Sequence, residues 1–165
     1  MNNINLNKGT ACNYELIFPL LPHKLIIGEN KEFILNVHGT IIPSVALEPT
    51  DSDWQGKKMH FHVGGITFSE WTINYIVDSE LKNWKLLFDW LMYITDNSIK
   101  PTRPVNEYMV DASLLITNNY HETIQKVMFK NIWPISLGEI TLSNREGEAQ
   151  LEGDVTFSYD RYEVV

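Results

Sequence analysis

Apolar side chains recur at every second position through most of this chain, the period that puts alternate residues on one face of an extended strand. Residues 13–18 place Tyr14, Leu16 and Phe18 on one side, and 31–38 do the same with Phe33, Leu35 and Val37. In 57–63, Met59, Phe61 and Val63 oppose Lys58, His60 and His62, and Gly64-Gly65 then signals a turn. Residues 70–77 set Trp71, Ile73, Tyr75 and Val77 against Glu70, Thr72 and Asn74. Strands over 111–117 and 123–133 flank Asn118-Asn119, a pair that tolerates positive φ and suits a hairpin. The alternation slips between Ile124 and Ile132, where Val127, Met128 and Phe129 are consecutive. That predicts a bulge or a strand buried on both faces. A last hairpin is expected from 139–143 and 151–162, turning through Asn144 to Gly147. Its final strand points Val155, Phe157 and Tyr159 one way and Asp154, Thr156, Ser158 and Asp160 the other.

One segment departs from this period. Between Ser79 and Thr95 the apolar residues Leu81, Trp84, Leu87, Phe88, Leu91 and Ile94 fall at helical spacings of three and four. Asp78 or Ser79 can cap the first amides, Glu80 suits the positive end of the helix dipole, and Asp96-Asn97 with Pro101 ends the helix. Leu81, Trp84, Phe88 and Leu91 are the expected core face. Leu86, Trp90 and Tyr93 form a second apolar strip, which either widens that face or meets another subunit. The expected architecture is mainly β: two packed antiparallel sheets, as a sandwich or barrel, with one flanking helix over about 79–95.

Two connections are long. Residues 97–107 hold Pro101 and Pro104; residues 42–56 hold Pro43, Pro49, Asp51, Asp53 and Trp54. Long loops in compact domains are often functional. Asp51, Asp53 and Trp54 are therefore candidates for a contact with another subunit, unless Trp54 folds back on its own sheet.

Composition narrows the function classes. At 165 residues, 44% of them hydrophobic, the chain is expected to fold as one domain over 1–165. No apolar run approaches the ~20 residues that span a bilayer, and no leader pattern opens the chain, so membrane insertion is not expected. One cysteine, Cys12, excludes an internal disulfide and fits synthesis in a reducing cytoplasm. The formal net charge is −8, a poor basis for gripping phosphates. From Glu139 to the C-terminus there are seven acidic residues and two arginines. This surface either keeps the protein soluble or repels polyanions.

Candidate chemistry is sparse. His60 and His62 share a strand face and could ligate a metal, but Lys58 beside them would repel a cation and no spacing fixes a third ligand. Asp51 and Asp53 lack the remaining ligands of a calcium loop. The glycine-rich phosphate loops and the nucleophile-elbow motif are absent. No catalytic residue, cofactor or metal is expected.

Three stretches in order carry a family resemblance. The first is Ile66-Thr67-Phe68-Ser69-Glu70-Trp71-Thr72-Ile73, running through Val77-Asp78-Ser79-Glu80 into a helix with Asn83-Trp84 and Phe88-Asp89-Trp90-Leu91. The second is Ile132-Trp133-Pro134-Ile135-Ser136-Leu137-Gly138-Glu139-Ile140, and the third is the aromatic alternation from Val155 to Tyr162. Together they resemble the tail tube protein of contractile-tailed bacteriophages, whose fold is shared by type VI secretion and extracellular injection tubes.

The resemblance implies a structural subunit of the inner tube, without enzymatic activity. Homohexameric rings would stack, their inner strands closing a β-barrel through which DNA passes without specific binding. It implies a place in the virion tail, with sheath, baseplate and tail terminator proteins as partners. Glu70, Thr72, Asn74, Asp154, Thr156 and Ser158 become candidates to face the lumen or the sheath. A baseplate hub or tube initiator of the same fold is the near alternative. A monomeric ligand-binding β-barrel, or an enzyme using His60 and His62, is the distant one.

Overall fold

In the computed structural model, residues 13–18, 37–54, 57–95, 107–142 and 150–165 are described, with 48–54 and 57–64 described by backbone alone. The strands are β1 (Tyr14–Ile17), β2 (Val37–Thr40), β3 (Val45–Trp54), β4 (Lys57–Phe68), β5 (Trp71–Ile76), β6 (Val110–Thr117), β7 (Thr123–Leu137), β8 (Glu152–Ser158) and β9 (Arg161–Val164). Among the described residues one helix, α1 (Lys82–Thr95), lies between β5 and β6. The seven-stranded antiparallel sheet runs β1-β6-β7-β8-β5-β2, with β9 also paired to β7. The strands β3 and β4 form a separate two-stranded ribbon. The expected mainly β architecture with one helix is present, as an open sheet and a ribbon with no closed barrel among the described residues.

The sheet folds into two facing halves because β7 serves both. Its first part pairs with β6 and β9; its last part, from Trp133, pairs with β8. Between them, three residues of β7 span the same ladder distance as two of β6, from Val110/Ile132 to Ala112/Phe129. This is the bulge that the broken alternation predicts. Asn131 takes the extra step in a left-handed conformation, φ 54°, which Asn tolerates better than most residues.

Alternation then fills the space between the halves. On one side Leu16, Leu114 and Val127 lie in one cross-strand row, with Ala112 beside Phe129 in the next. On the other, Trp71 pairs with Phe157, Ile73 with Val155, and Tyr75 with Gly153. All of these apolar residues are buried. Trp71 stacks on Phe129 across the interior, ring centroids 3.9 Å apart and 7° from parallel. Burial of each large side chain contributes about 1.5–3 kcal/mol, so this layer dominates the stability of the fold. Gly153 leaves room for Tyr75: a Cβ there would lie 3.1 Å from the end of the phenol ring and from its oxygen, close enough that Tyr75 would have to shift.

The helix differs from its expected start and face. It begins at Lys82 rather than Ser79, after Leu81 at φ 56°. Neither Asp78 nor Ser79 takes the capping role. The buried Asn83 side chain does the tying: its Oδ1 accepts the amides of Asp78 and Trp84, and its Nδ2 donates to the Ile76 carbonyl. Anchoring Asn83 to the end of β5 turns the helix so that Leu87 and Trp90 enter the core. Leu81 and Phe88, expected inside, are exposed, and Trp84 is only half-buried.

Several boundaries also move. Gly64 and Gly65 are not a turn; β4 runs through them, and the extra residues in that stretch make a bulge opposite Leu47 and Pro49. Residues 45–54, read as loop, are strand β3. Residues 139–142 are not strand; β7 continues through Pro134 to Leu137 instead. The last strand breaks at Tyr159 and Asp160 into β8 and β9. The strand expected over 31–38 is described only at its end, in β2, and the 97–107 connection lies almost wholly outside the described residues.

Candidate assembly surfaces

Among the described residues, three surfaces stand out beside the core. The first is the outer face of the half-sheet β2-β5-β8-β7. Pairing of Thr72 with Thr156 and of Asn74 with Asp154 sets these side chains side by side, pointing away from the core. The Thr72 and Thr156 hydroxyls are 3.4 Å apart, and Ser136 and Ser158 extend the polar strip at the β7 side. Glu70, just before β5, is exposed. The structure thus brings Thr72, Asn74, Asp154, Thr156 and Ser158 onto one wall, with Glu70 at its margin. The wall is shallow. A side chain on Gly138 would collide with the Asp154 carboxylate, and one on Gly39 would crowd Asn74. Tyr75, on the opposite face of β5, has its phenol pushed up to about 12 by burial and then by the Asp154 charge.

The second surface is the ribbon. Among the described residues, β3 and β4 pair with each other and with no other strand. At its root, Leu47 lies opposite Ile66 and Val45 opposite Phe68. Val45, Leu47 and Ile66 are about half exposed, at 47%, 54% and 57%, and Ile41 and Ile42 add to the same apolar exposure. A two-stranded ribbon is marginal in water by itself. Backbone pairing places Asp51 opposite His60, Asp53 opposite Lys58 and Trp54 opposite Lys57 near its tip; their side chains lie outside the described residues. Periodicity does mark Val45 and Leu47 as a strand face, but the prolines and aspartates around them read more strongly as loop.

The third surface is the outer side of α1. Trp84 stacks on Phe88, centroids 5.3 Å apart, with Leu81 and Met92 exposed on either side. The subunit-contact candidates Leu86, Trp90 and Tyr93 do not form this strip. Trp90 is a correction: it is fully buried in its own chain, its indole N–H donating 2.9 Å to the Tyr108 carbonyl. Leu86 packs half-buried against the same core, and Tyr93 is half-buried.

A polar knot fixes the β7 bend between these surfaces. Asp111 Oδ1 accepts the Asn131 amide at 3.1 Å and Oδ2 accepts Lys130 Nζ at 2.7 Å. Asn131 Nδ2 donates to Asp160, whose own amide donates to the Lys130 carbonyl. Burial pushes the Asp111 carboxyl up, but the bonds from Lys130 and the Asn131 amide, with the ammonium charge, outweigh it and hold it below its ordinary value. Among the described residues no cluster of three His, Cys, Asp or Glu could hold a metal ion. No helix among them is long and apolar enough to cross a membrane.

Comparison with known proteins gives this geometry a family. The profile described as Phage tail tube protein matches residues 27–165. The chain belongs to the phage tail tube protein family. A curated relative, the tail tube terminator protein of Enterobacteria phage T4, is 26% identical over 96% of this chain and 89% of its own length. Among solved structures, the sheath/tube terminator of the PVC extracellular contractile injection system in its extended state has a TM-score of 0.70. That match has 15% identity and covers 96% of this chain and 97% of the other. The PVC sheath-tube complex in the extended state matches at TM-score 0.67 with 15% identity, over 98% and 93% of the two chains. At such identities the structural matches show the fold alone. Membership makes the protein a component of the phage tail tube system, and its relatives are structural tail proteins.

Proposed function

We propose that this chain is a non-enzymatic, ring-forming subunit that terminates the tube of a contractile phage tail. The observation that carries the end-of-tube role is the sequence relationship to the T4 tail tube terminator, spread over nearly the whole of both chains. The fold cannot separate the roles, since tube and terminator structures match almost equally. The β2 edge and the last part of β7 lie at opposite ends of one half-sheet. Head-to-tail pairing of those edges between copies would close a ring, removing edges that would otherwise invite aggregation. In that ring the shallow wall of Thr72, Asn74, Asp154, Thr156 and Ser158 faces the channel. It offers hydroxyls, an amide and a carboxylate, and these positions carry no cation that would hold DNA by its phosphates. The ribbon that carries Asp51, Asp53 and Trp54 then meets the adjoining ring or another tail protein.

A second reading, a tube subunit proper, is favoured by the family match over residues 27–165. Electron microscopy of the purified chain, alone and mixed with growing tubes, separates the two. A terminator gives single closed rings alone and shortens tubes when added. A tube subunit polymerises by itself. A chain that stays monomeric under both conditions removes the ring reading.

A further inference from the structure

The ribbon leaves the body at Pro43-Ser44 and returns at Phe68-Ser69, and among the described residues β3 and β4 pair with no other strand. Its direction must therefore be set at this root. The two root segments are cross-tied: the Ser69 amide donates to the Ser44 carbonyl at 3.1 Å, and the Ser44 amide donates to Ser69 Oγ at 2.9 Å. These bonds close the ribbon but do not orient it against the sheet.

Orientation comes from the far end of the chain. The corner between β8 and β9 carries two tyrosines whose rings sit beside Phe68, with centroids 6.0 Å away for Tyr159 and 5.3 Å for Tyr162. Each phenol continues past the aromatic cluster to one root segment. Tyr159 donates to the Ser69 carbonyl at 2.7 Å, and Tyr162 donates to the Pro43 carbonyl at 2.9 Å. One tyrosine thus holds the departing strand and the other the returning strand. The same corner is fastened to the sheet: Asp160 accepts Asn131 Nδ2 and gives its amide to the Lys130 carbonyl, while β9 pairs with β7.

We infer that Tyr159 and Tyr162 form a clasp that aims the β3–β4 ribbon, with the β8–β9 corner as its anchor on the bend of β7. Two points along the root, held from one rigid corner, fix the ribbon's direction where a single point would leave it free to swing. Phenylalanine at either position would keep the ring packing and lose the tie, so the hydroxyls carry the clasp. Tyr159 remains a donor over the whole neutral range, since burial, then the neighbouring Tyr162, pushes its phenol up to about 12. The clasp requires only the fold, so a failure of ring assembly leaves it standing.

The test is amide hydrogen exchange on the full chain, wild type against the Tyr159→Phe/Tyr162→Phe double variant. The clasp predicts at least tenfold faster exchange at residues 45–47 and 66–69. The amides of β5 and β8 should stay within about twofold of wild type. Wild-type exchange at the root would overturn it, as would a uniform acceleration of all protected amides, which would mean that the hydroxyls serve only global stability. If the double variant fails to fold, Tyr162→Phe alone is read the same way, with the change expected at 45–47 and with the same two outcomes against it.

Discussion

Single side chains decide more here than their residue types suggest. Tyr75 and Tyr159 show this through pH. Their folded pKa values, each about 12, lie above the ordinary 10.0. The stability they contribute is therefore fully present below pH 10 and lost as pH rises through the folded values. Urea midpoints measured at about pH 9 and about pH 11 should fall, and Tyr75→Phe should flatten that fall. Asp111 works at the other end. Its carboxyl is held below its ordinary 3.8, so its contribution is complete above that pH and lost as pH drops through the lower folded value. Asp111→Asn should lower the denaturation midpoint at neutral pH and leave stability less dependent on acid. An unchanged acid profile would show that Lys130 and the Asn131 amide do not depend on the charge. None of these environments is legible in the sequence, because Asp111, Lys130 and Asp160 read as ordinary solvated residues until the bulge gathers them.

At the scale of elements, period-two alternation located β1, β5 and β6 to within a residue or two. It succeeded there because each of these strands keeps its most buried side chains on one face. It lost β3, where Pro49 and the five polar residues Glu48, Thr50, Asp51, Ser52 and Asp53 mask a strand that pairs, among the described residues, with β4 alone. The helix was legible as a helix, but not its orientation, because it carries two apolar strips of similar size and the choice rests on Asn83. Leu87→Ala should cost about 2–5 kcal/mol, the usual range for a buried leucine. Phe88→Ser, on the exposed side, should stay within about 1 kcal/mol, mostly from loss of its stack on Trp84. Chemical denaturation of both variants checks the face. Equal losses would place Phe88 inside.

For the whole molecule, predictions turn on assembly. Leu47→Ser with Ile66→Ser should leave the monomer's melting temperature within a few degrees, since both side chains are about half exposed. If the ribbon contacts a neighbouring ring, the same variant should fail to bind tube ends in a pelleting assay. Wild-type pelleting would remove the ribbon from the interface. The wall is tested by charge reversal at the exposed Glu70. Glu70→Lys should permit ring formation but slow DNA release from the assembled phage, more so at low salt, because each added cation creates a phosphate contact. A variant that assembles tubes but acquires no sheath would place Glu70 on the outer surface instead.

The sequence by itself determined the class of fold, the apolar rows of the two half-sheets, the helix over 82–95 and the polar faces of two strands, Thr72 with Asn74 and Asp154 with Thr156 and Ser158, which only the β5–β8 pairing joins into one wall. Each follows from a local period, and local periods survive in a linear chain. The resemblance carried by residues 66–91, 132–140 and 155–162 also reached the family, because those segments are core elements whose order is fixed. Tertiary structure alone decided which helix strip turned inward and that Trp90 is a core residue. It also decided where β7 crosses between the half-sheets, and that Tyr159 and Tyr162 reach the ribbon root. Each of these depends on one polar side chain finding a partner outside its own element: Asn83 at the end of β5, Asp111 at Asn131, Tyr162 at Pro43. Such pairings leave no periodic trace, since these hydrogen bonds exist only after the elements have been brought together.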